Sequence, residues 1–115
     1  MIRRASECKP EYREHMRGGA GTVKMTSYVT KEELYNKGRL FGDITLEPGC
    51  GIGAHVHEGE EEIFVVTRGT VIYNDNGTEH TATVGDILIC NDGETHSIRN
   101  EGTAPASVTA LIVLR

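Results

Sequence analysis

From Gly38 onward the apolar positions of the chain fall in short runs, broken at intervals of roughly 8 to 12 residues by turn formers, which is the rhythm of an all-β sandwich or barrel. Ahead of them Val23, Met25, Ser27 and Val29 alternate with more polar neighbours, the period-2 signature of a half-buried strand that opens at Thr22. The later runs predict strands over 39–46, 53–57, 62–68, 70–74, 79–84, 86–90, 96–100 and 106–114. Glu47-Pro48-Gly49, Asn76-Gly77 and Asp92-Gly93 supply tight-turn residues, and Asn76-Gly77 between alternating runs predicts a hairpin and antiparallel pairing. The last run, Val108 to Leu114, is nearly all apolar and predicts a central strand with both faces covered, a second subunit being one way to cover it.

Only one segment signals a helix. Thr30 precedes Lys31-Glu32-Glu33-Leu34-Tyr35 as an N-cap with the acidic third position of a capping box, enough for one or two turns before Gly38. Residues 1–21 lack apolar periodicity and finish in Arg17-Gly18-Gly19-Ala20-Gly21, so they predict an irregular arm ahead of a β-barrel domain over 22–115.

Composition narrows the function classes. A chain of 115 residues holds one core, so every functional group shares one fold. No run approaches the ~20 apolar residues of a membrane-spanning helix, and charges interrupt the first twenty residues, which points to a cytoplasmic protein with no membrane partner. Cys8, Cys50 and Cys90 are odd in number and widely spaced, against both a disulfide framework and a thiolate zinc knuckle. A net charge of −5, no Trp and only six other aromatics speak against nucleic acid as a partner.

The chemistry concentrates in three histidines and a glutamate. His55 and His57, two apart on an extended strand, project from the same face and could ligate one ion, although a solvated pair has the same spacing. Glu58, Glu60 and Glu61 read as solvated surface. Glu62 differs, because it shares its parity with Phe64 and Val66 and so faces the core, where a carboxylate wants a cation. His96 heads a later strand with Ile98 on the same face, and alone it reads as a satisfied core histidine. His15 falls in the arm as an exposed residue, and His80 reads as a packing residue; neither joins the site.

Gly49 to Gly69 reads G-x5-H-x-H-x4-E-x6-G without a departure, and this resembles the first motif of the cupin family. Gly85 to Asn100 is similar to the second, G-x5-P-x-G-x2-H-x3-N, with Asn91 in the place of the proline. The two motifs span residues 49 to 100. The resemblance implies a double-stranded β-helix, or jelly-roll barrel, whose ligand set of His55, His57, Glu62 and His96 holds one divalent transition metal with positions open to water or substrate. Imidazoles with a carboxylate suit Fe, Mn, Ni, Cu or Zn alike. In Asn91-Asp92-Gly93-Glu94 the substitution loosens a turn without removing a ligand.

The same scaffold serves isomerases, dioxygenases, decarboxylases and lyases, and also proteins that only bind or sense a small molecule. The complete ligand set favours a metal-dependent enzyme acting on a small polar metabolite, with a non-catalytic binding module as the alternative and a purely structural metal ranked below both. Parity sends Phe64, Val66, Val71, Tyr73 and Ile98 toward the cavity, and the Tyr73 hydroxyl is the candidate acid or base. Arg39 and Arg68 are candidate cations for an anionic substrate. Barrel edges and the apolar last strand suggest a two-fold homodimer.

Overall fold

Ten strands pair into two antiparallel sheets. The computed structural model describes residues 1–115 and places β1 at Glu11–Glu14, β2 at Thr22–Ser27, β3 at Gly38–Leu46, β4 at Gly51–Val56 and β5 at Glu60–Arg68. There follow β6 at Thr70–Asp75, β7 at Thr78–Thr83, β8 at Ile87–Cys90, β9 at Thr95–Arg99 and β10 at Ala106–Leu114. The larger sheet runs β1-β2-β3-β10-β5-β8 and the smaller β4-β9-β6-β7.

Alternation decides what lies between the sheets. Val23 and Met25, Ile44 and Leu46, Phe64 and Val66, Val71 and Tyr73, Ile98, and Val108, Ala110 and Ile112 are all buried, each on the inward parity of its strand. At full burial each large aliphatic or aromatic side chain contributes roughly 1.5–3 kcal/mol. Asn76-Gly77 forms the expected hairpin between β6 and β7, with positive φ at both residues (51° and 100°), as a tight two-residue turn requires.

β10 takes the central place between β3 and β5. Its coverage differs from expectation. Ala106, Val108, Ala110 and Ile112 are buried inward, but Leu111 and Val113 on the outer face stay partly exposed. Register sets Leu111 beside Ile63, Ile63 beside Ile89, and Val65 beside Ile87, so an apolar band crosses the outside of the larger sheet.

The arm is more ordered than its composition suggests. Glu11–Glu14 adds an edge strand to β2, with Glu11 opposite Met25 and Glu14 opposite Thr22, and all four residues are exposed. A strand held by main-chain bonds and burying no side chain leaves no period-2 pattern to read. Single 3₁₀ turns cover Ala5–Glu7, Met16–Gly18 and Glu32–Leu34, and there is no α-helix. The capping box forms: Thr30 Oγ1 accepts from the Glu33 amide at 3.2 Å, and the Glu33 carboxylate accepts from the Thr30 amide at 2.9 Å. It launches only one turn, because Tyr35 and Asn36 go left-handed at φ 55° and 56°. No helix is long and apolar enough to cross a membrane.

Candidate metal centre

His55 comes from the end of β4, His57 from the residue just past it, His96 from β9 and Glu62 from β5, so Glu62 reaches across from the larger sheet to three histidines on the side of the smaller. Their shared orientation depends on a bulge. Ile52 pairs with Ile98 and His55 with His96, three steps along β4 against two along β9. Buried Ile52 would otherwise put His55 on the outer face; the extra residue at Gly53–Ala54 turns it inward. Glu62, Phe64 and Val66 share one buried face, as their parity predicts.

The four donor atoms converge, all within 4.8 Å of one another. The Nε2 atoms of His55, His57 and His96 form a triangle with sides of 3.1 Å. Glu62 Oε1 lies 3.1 Å from His57 Nε2 and 3.2 Å from His96 Nε2.

The opposite ring nitrogens decide the tautomers. His55 Nδ1–H donates to the Gly53 carbonyl at 2.8 Å, and His57 Nδ1–H donates to Glu60 Oε2 at 2.6 Å. His96 Nδ1 meets the Tyr73 hydroxyl at 2.9 Å, where Nδ1–H can donate to the phenolic oxygen. Three Nε2 lone pairs and a carboxylate then face one point with no proton among them. Four acceptors packed this closely call for a cation, and imidazole with carboxylate is a donor set for a divalent transition metal. The residues therefore fit the group.

A proton on His57 can stand in for that cation. Burial lowers the His55 pKa, whereas the Glu62 hydrogen bond raises that of His57 against its own burial. Burial pushes Glu62 up, but the His57 and His96 hydrogen bonds outweigh it and keep the carboxyl below its ordinary range. Glu60 is not solvated surface, as its acidic neighbourhood suggested. Arg39 grips it with Nε and Nη2, both at 2.7 Å, and with His57 holds its pKa at about 2. A chain Arg39–Glu60–His57 thus supports the donor, and its one sequence sign is a glutamate three residues after the histidine.

Other supports pack behind the site. The Phe64 ring stacks on His96 with centroids 5.3 Å apart and planes at 12°. The turn ahead of His96 closes where Glu94 N–H bonds to the Asn91 carbonyl at 3.0 Å. The Asn91 amide donates to the Glu94 carboxylate at 2.8 Å, a bond proline could not make, so asparagine here tightens the turn instead of loosening it. Asn100 is buried and spends its amide on Leu46, Ala104 and Gly102, a structural duty.

A cavity of about 500 Å³ opens onto His55, His57 and Glu62. Its other walls correct the parity argument. Phe64, Val66, Val71, Tyr73 and Ile98 are 1–3% exposed and form the packed floor beneath the donors, while the cavity is lined by Met25, Leu40, Ile44, Ile52 and Ile112 with Glu11, Arg13, Met16 and Arg17 of the arm. The sequence reading missed these arm residues. Arg39 lines the cavity and is engaged by Glu60, whereas Arg68 is exposed and not on its wall. His80 is exposed rather than packed, and His15 is exposed with its Nδ1 3.2 Å from the Gly19 carbonyl. All three cysteines are free; Cys90 is buried, which pushes its thiol up to about 11.

Comparison with known proteins gives a consistent picture. The model of the cupin domain family matches residues 42–113. An oxalate-binding protein of Thermotoga maritima is 41% identical over 114 residues, covering 99% of this chain and 94% of that protein. A crystal structure from Thermotoga maritima, described as a predicted oxalate decarboxylase, superposes with a TM-score of 0.96 at 41% identity over the whole of both chains. A sugar phosphate isomerase of Silicibacter pomeroyi, 18% identical and covered over 76% of its length by the whole of this chain, shares the fold with a TM-score of 0.79.

Proposed function

The chain belongs to the cupin family, and from that premise we propose that it holds one divalent transition metal through His55, His57, Glu62 and His96 and uses the ion to bind a small dicarboxylate, oxalate first. The observation that carries the reading is the convergence of four acceptors at the foot of an open cavity. When bound, the ion supplies Lewis acidity and positions for ligand oxygens.

The donor arrangement supports room for such oxygens. Three Nε2 atoms 3.1 Å apart, with the Glu62 carboxylate beside two of them, would hold a divalent ion at the foot of the cavity and leave its open side to ligand oxygens. Glu62 sits beside His57 and His96 and makes no ion pair with His55. An ion so held would be open from the cavity side to a chelating dicarboxylate. The relative named for oxalate binding supports the choice of ligand.

The chain's residues favour binding over turnover. Each titratable side chain on the cavity wall is a donor (His55, His57, Glu62), an ion-paired residue (Glu11 with Arg13, Arg39 with Glu60) or Arg17. Tyr73 meets His96 at Nδ1, the nitrogen facing away from the cluster, and burial raises its pKa, so we assign it to positioning the imidazole and not to proton transfer. The openness of the site favours one second reading, a metal-dependent enzyme of isomerase, dioxygenase or lyase type with Tyr73 as its acid or base.

The test is tag-free purification without chelator, metal analysis by mass spectrometry, and calorimetric titration with oxalate, beside a His55→Ala, His57→Ala double variant. Expected are about one metal per chain, saturable oxalate binding that needs the metal, and loss of both in the variant. Release of formate or uptake of oxygen with oxalate moves the assignment to the enzyme reading. A chain that takes up no metal on reconstitution overturns the ligand set.

A further inference from the structure

The cavity wall contributed by the arm is built in an unusual way. The single turn Met16–Gly18 packs main chain on main chain against β4: a Cβ on Gly53 would overlap the Arg17 carbonyl oxygen, and one on Gly19 would overlap the Gly51 carbonyl. The Gly51 amide donates to Ala20 at 2.9 Å, closing the seam. Gly53 is also the residue whose carbonyl accepts from His55 Nδ1, so the turn and the ligand imidazole share one support.

Within this turn Arg17 stands at φ 53°, ψ 31°, left-handed, and His15 before it at φ 48°. Left-handed backbone is unfavourable for residues with a Cβ and persists where the surroundings impose it, often at ligand sites. Glycines stand at 18, 19 and 21, yet the left-handed position inside the turn, which lines the cavity together with Met16, is an arginine.

Charge accounting then singles Arg17 out. Of the three arginines on the cavity wall, Arg13 is paired with Glu11 and Arg39 with Glu60, while Arg17 makes no ion pair. A divalent ion held by one carboxylate and three neutral imidazoles keeps a single net positive charge. Arg17 makes it two, the amount a dianion cancels and a monoanion does not.

Resting on the dicarboxylate reading above, we propose that Arg17 is the specificity-determining residue of the site, its guanidinium matching the second carboxylate of a metal-bound dicarboxylate. The planar fork of an arginine suits a carboxylate, and the exposed, unpaired Arg17 lines the same cavity as His55, His57 and Glu62.

The experiment uses the full chain loaded with Mn²⁺, comparing wild type with Arg17→Gln, Arg17→Lys and Arg17→Gly by titration with oxalate and with acetate, alongside metal stoichiometry and Tm. Arg17→Gln should weaken oxalate roughly 10- to 100-fold and acetate by less than about threefold, with metal content unchanged. Arg17→Lys should fall between, retaining charge without the fork. Arg17→Gly should lose oxalate affinity without any fall in Tm, because glycine adopts the left-handed turn freely; a merely structural arginine would do the reverse. Wild-type oxalate affinity in Arg17→Gln, or equal losses for oxalate and acetate, overturns the assignment. Metal-loaded wild type that binds neither anion overturns the dicarboxylate reading itself.

Discussion

Replacing Tyr73 by phenylalanine removes one oxygen from the centre of the molecule. Tyr73 is 3% exposed and His96 1%, and the lost atom is the partner of His96 Nδ1 at 2.9 Å. No water can reach so enclosed a nitrogen easily, so the substitution leaves a buried polar group unmatched at a cost of about 1–3 kcal/mol. For a domain of this size each kcal/mol lowers Tm by roughly 3–6 °C, which gives a fall of roughly 3–18 °C for the metal-free protein. His96 also loses its clamp, leaving only the stacked Phe64 ring to orient it, and metal affinity should drop roughly 10- to 100-fold, as when other outer partners of ligand histidines are removed. Calorimetry on chelated protein reads the first quantity, and competition with a chromophoric chelator reads the second. A Tm within about 1 °C of wild type together with metal affinity within about twofold would refute the positioning role. Intact metal affinity with abolished turnover would instead restore Tyr73 as an acid or base.

Acid should unfold the metal-free protein partly through Glu60. Its pKa, depressed from 4.5 to about 2 chiefly by Arg39, means that its contribution is fully present above pH 4.5 and is lost as pH falls toward 2. Urea midpoints should decline over that window by the equivalent of about 1–2 kcal/mol, and Glu60→Gln should flatten the decline; an unchanged acid limb in that variant would contradict the assignment. We also expect a homodimer through the outer band around Ile63, Ile87, Ile89 and Leu111, since Ile87 and Ile89 are 61% and 47% exposed and a two-fold contact buries the same patch twice. Light scattering at micromolar concentration should report twice the chain mass, falling to one chain in Ile89→Lys with Tm kept, whereas a monomeric wild type would remove the idea.

Strands with a buried face were legible because burial writes a period of two into the chain: the parity of Glu62, Phe64 and Val66, and of His96 and Ile98, predicted their shared interior face. That His55, His57, Glu62 and His96 gather at one point was legible only through the two cupin-like motifs, since each histidine alone also fits a solvated or packed residue. What main-chain packing builds was not. β1 buries no side chain, and the Met16–Gly18 turn is seated by glycines, so neither leaves an apolar signature. The cavity was consequently drawn too deep, among residues that close against each other as the core, while its actual wall comes from the arm. Glu60 was misjudged because parity describes where a side chain starts and not what a long carboxylate on the first residue of a strand can reach.

The division of the four residues between the two sides of the sandwich would give the proposed ion a mechanical meaning. Gripped from both sides, it would act as a rivet, and pulling the sheets apart would require expelling it. Stability would then depend on metal supply, growing by about 4.1 kcal/mol when free metal exceeds its Kd a thousandfold. A protein so riveted would open more often when metal is scarce and meet proteases sooner, tying its lifetime to metal supply.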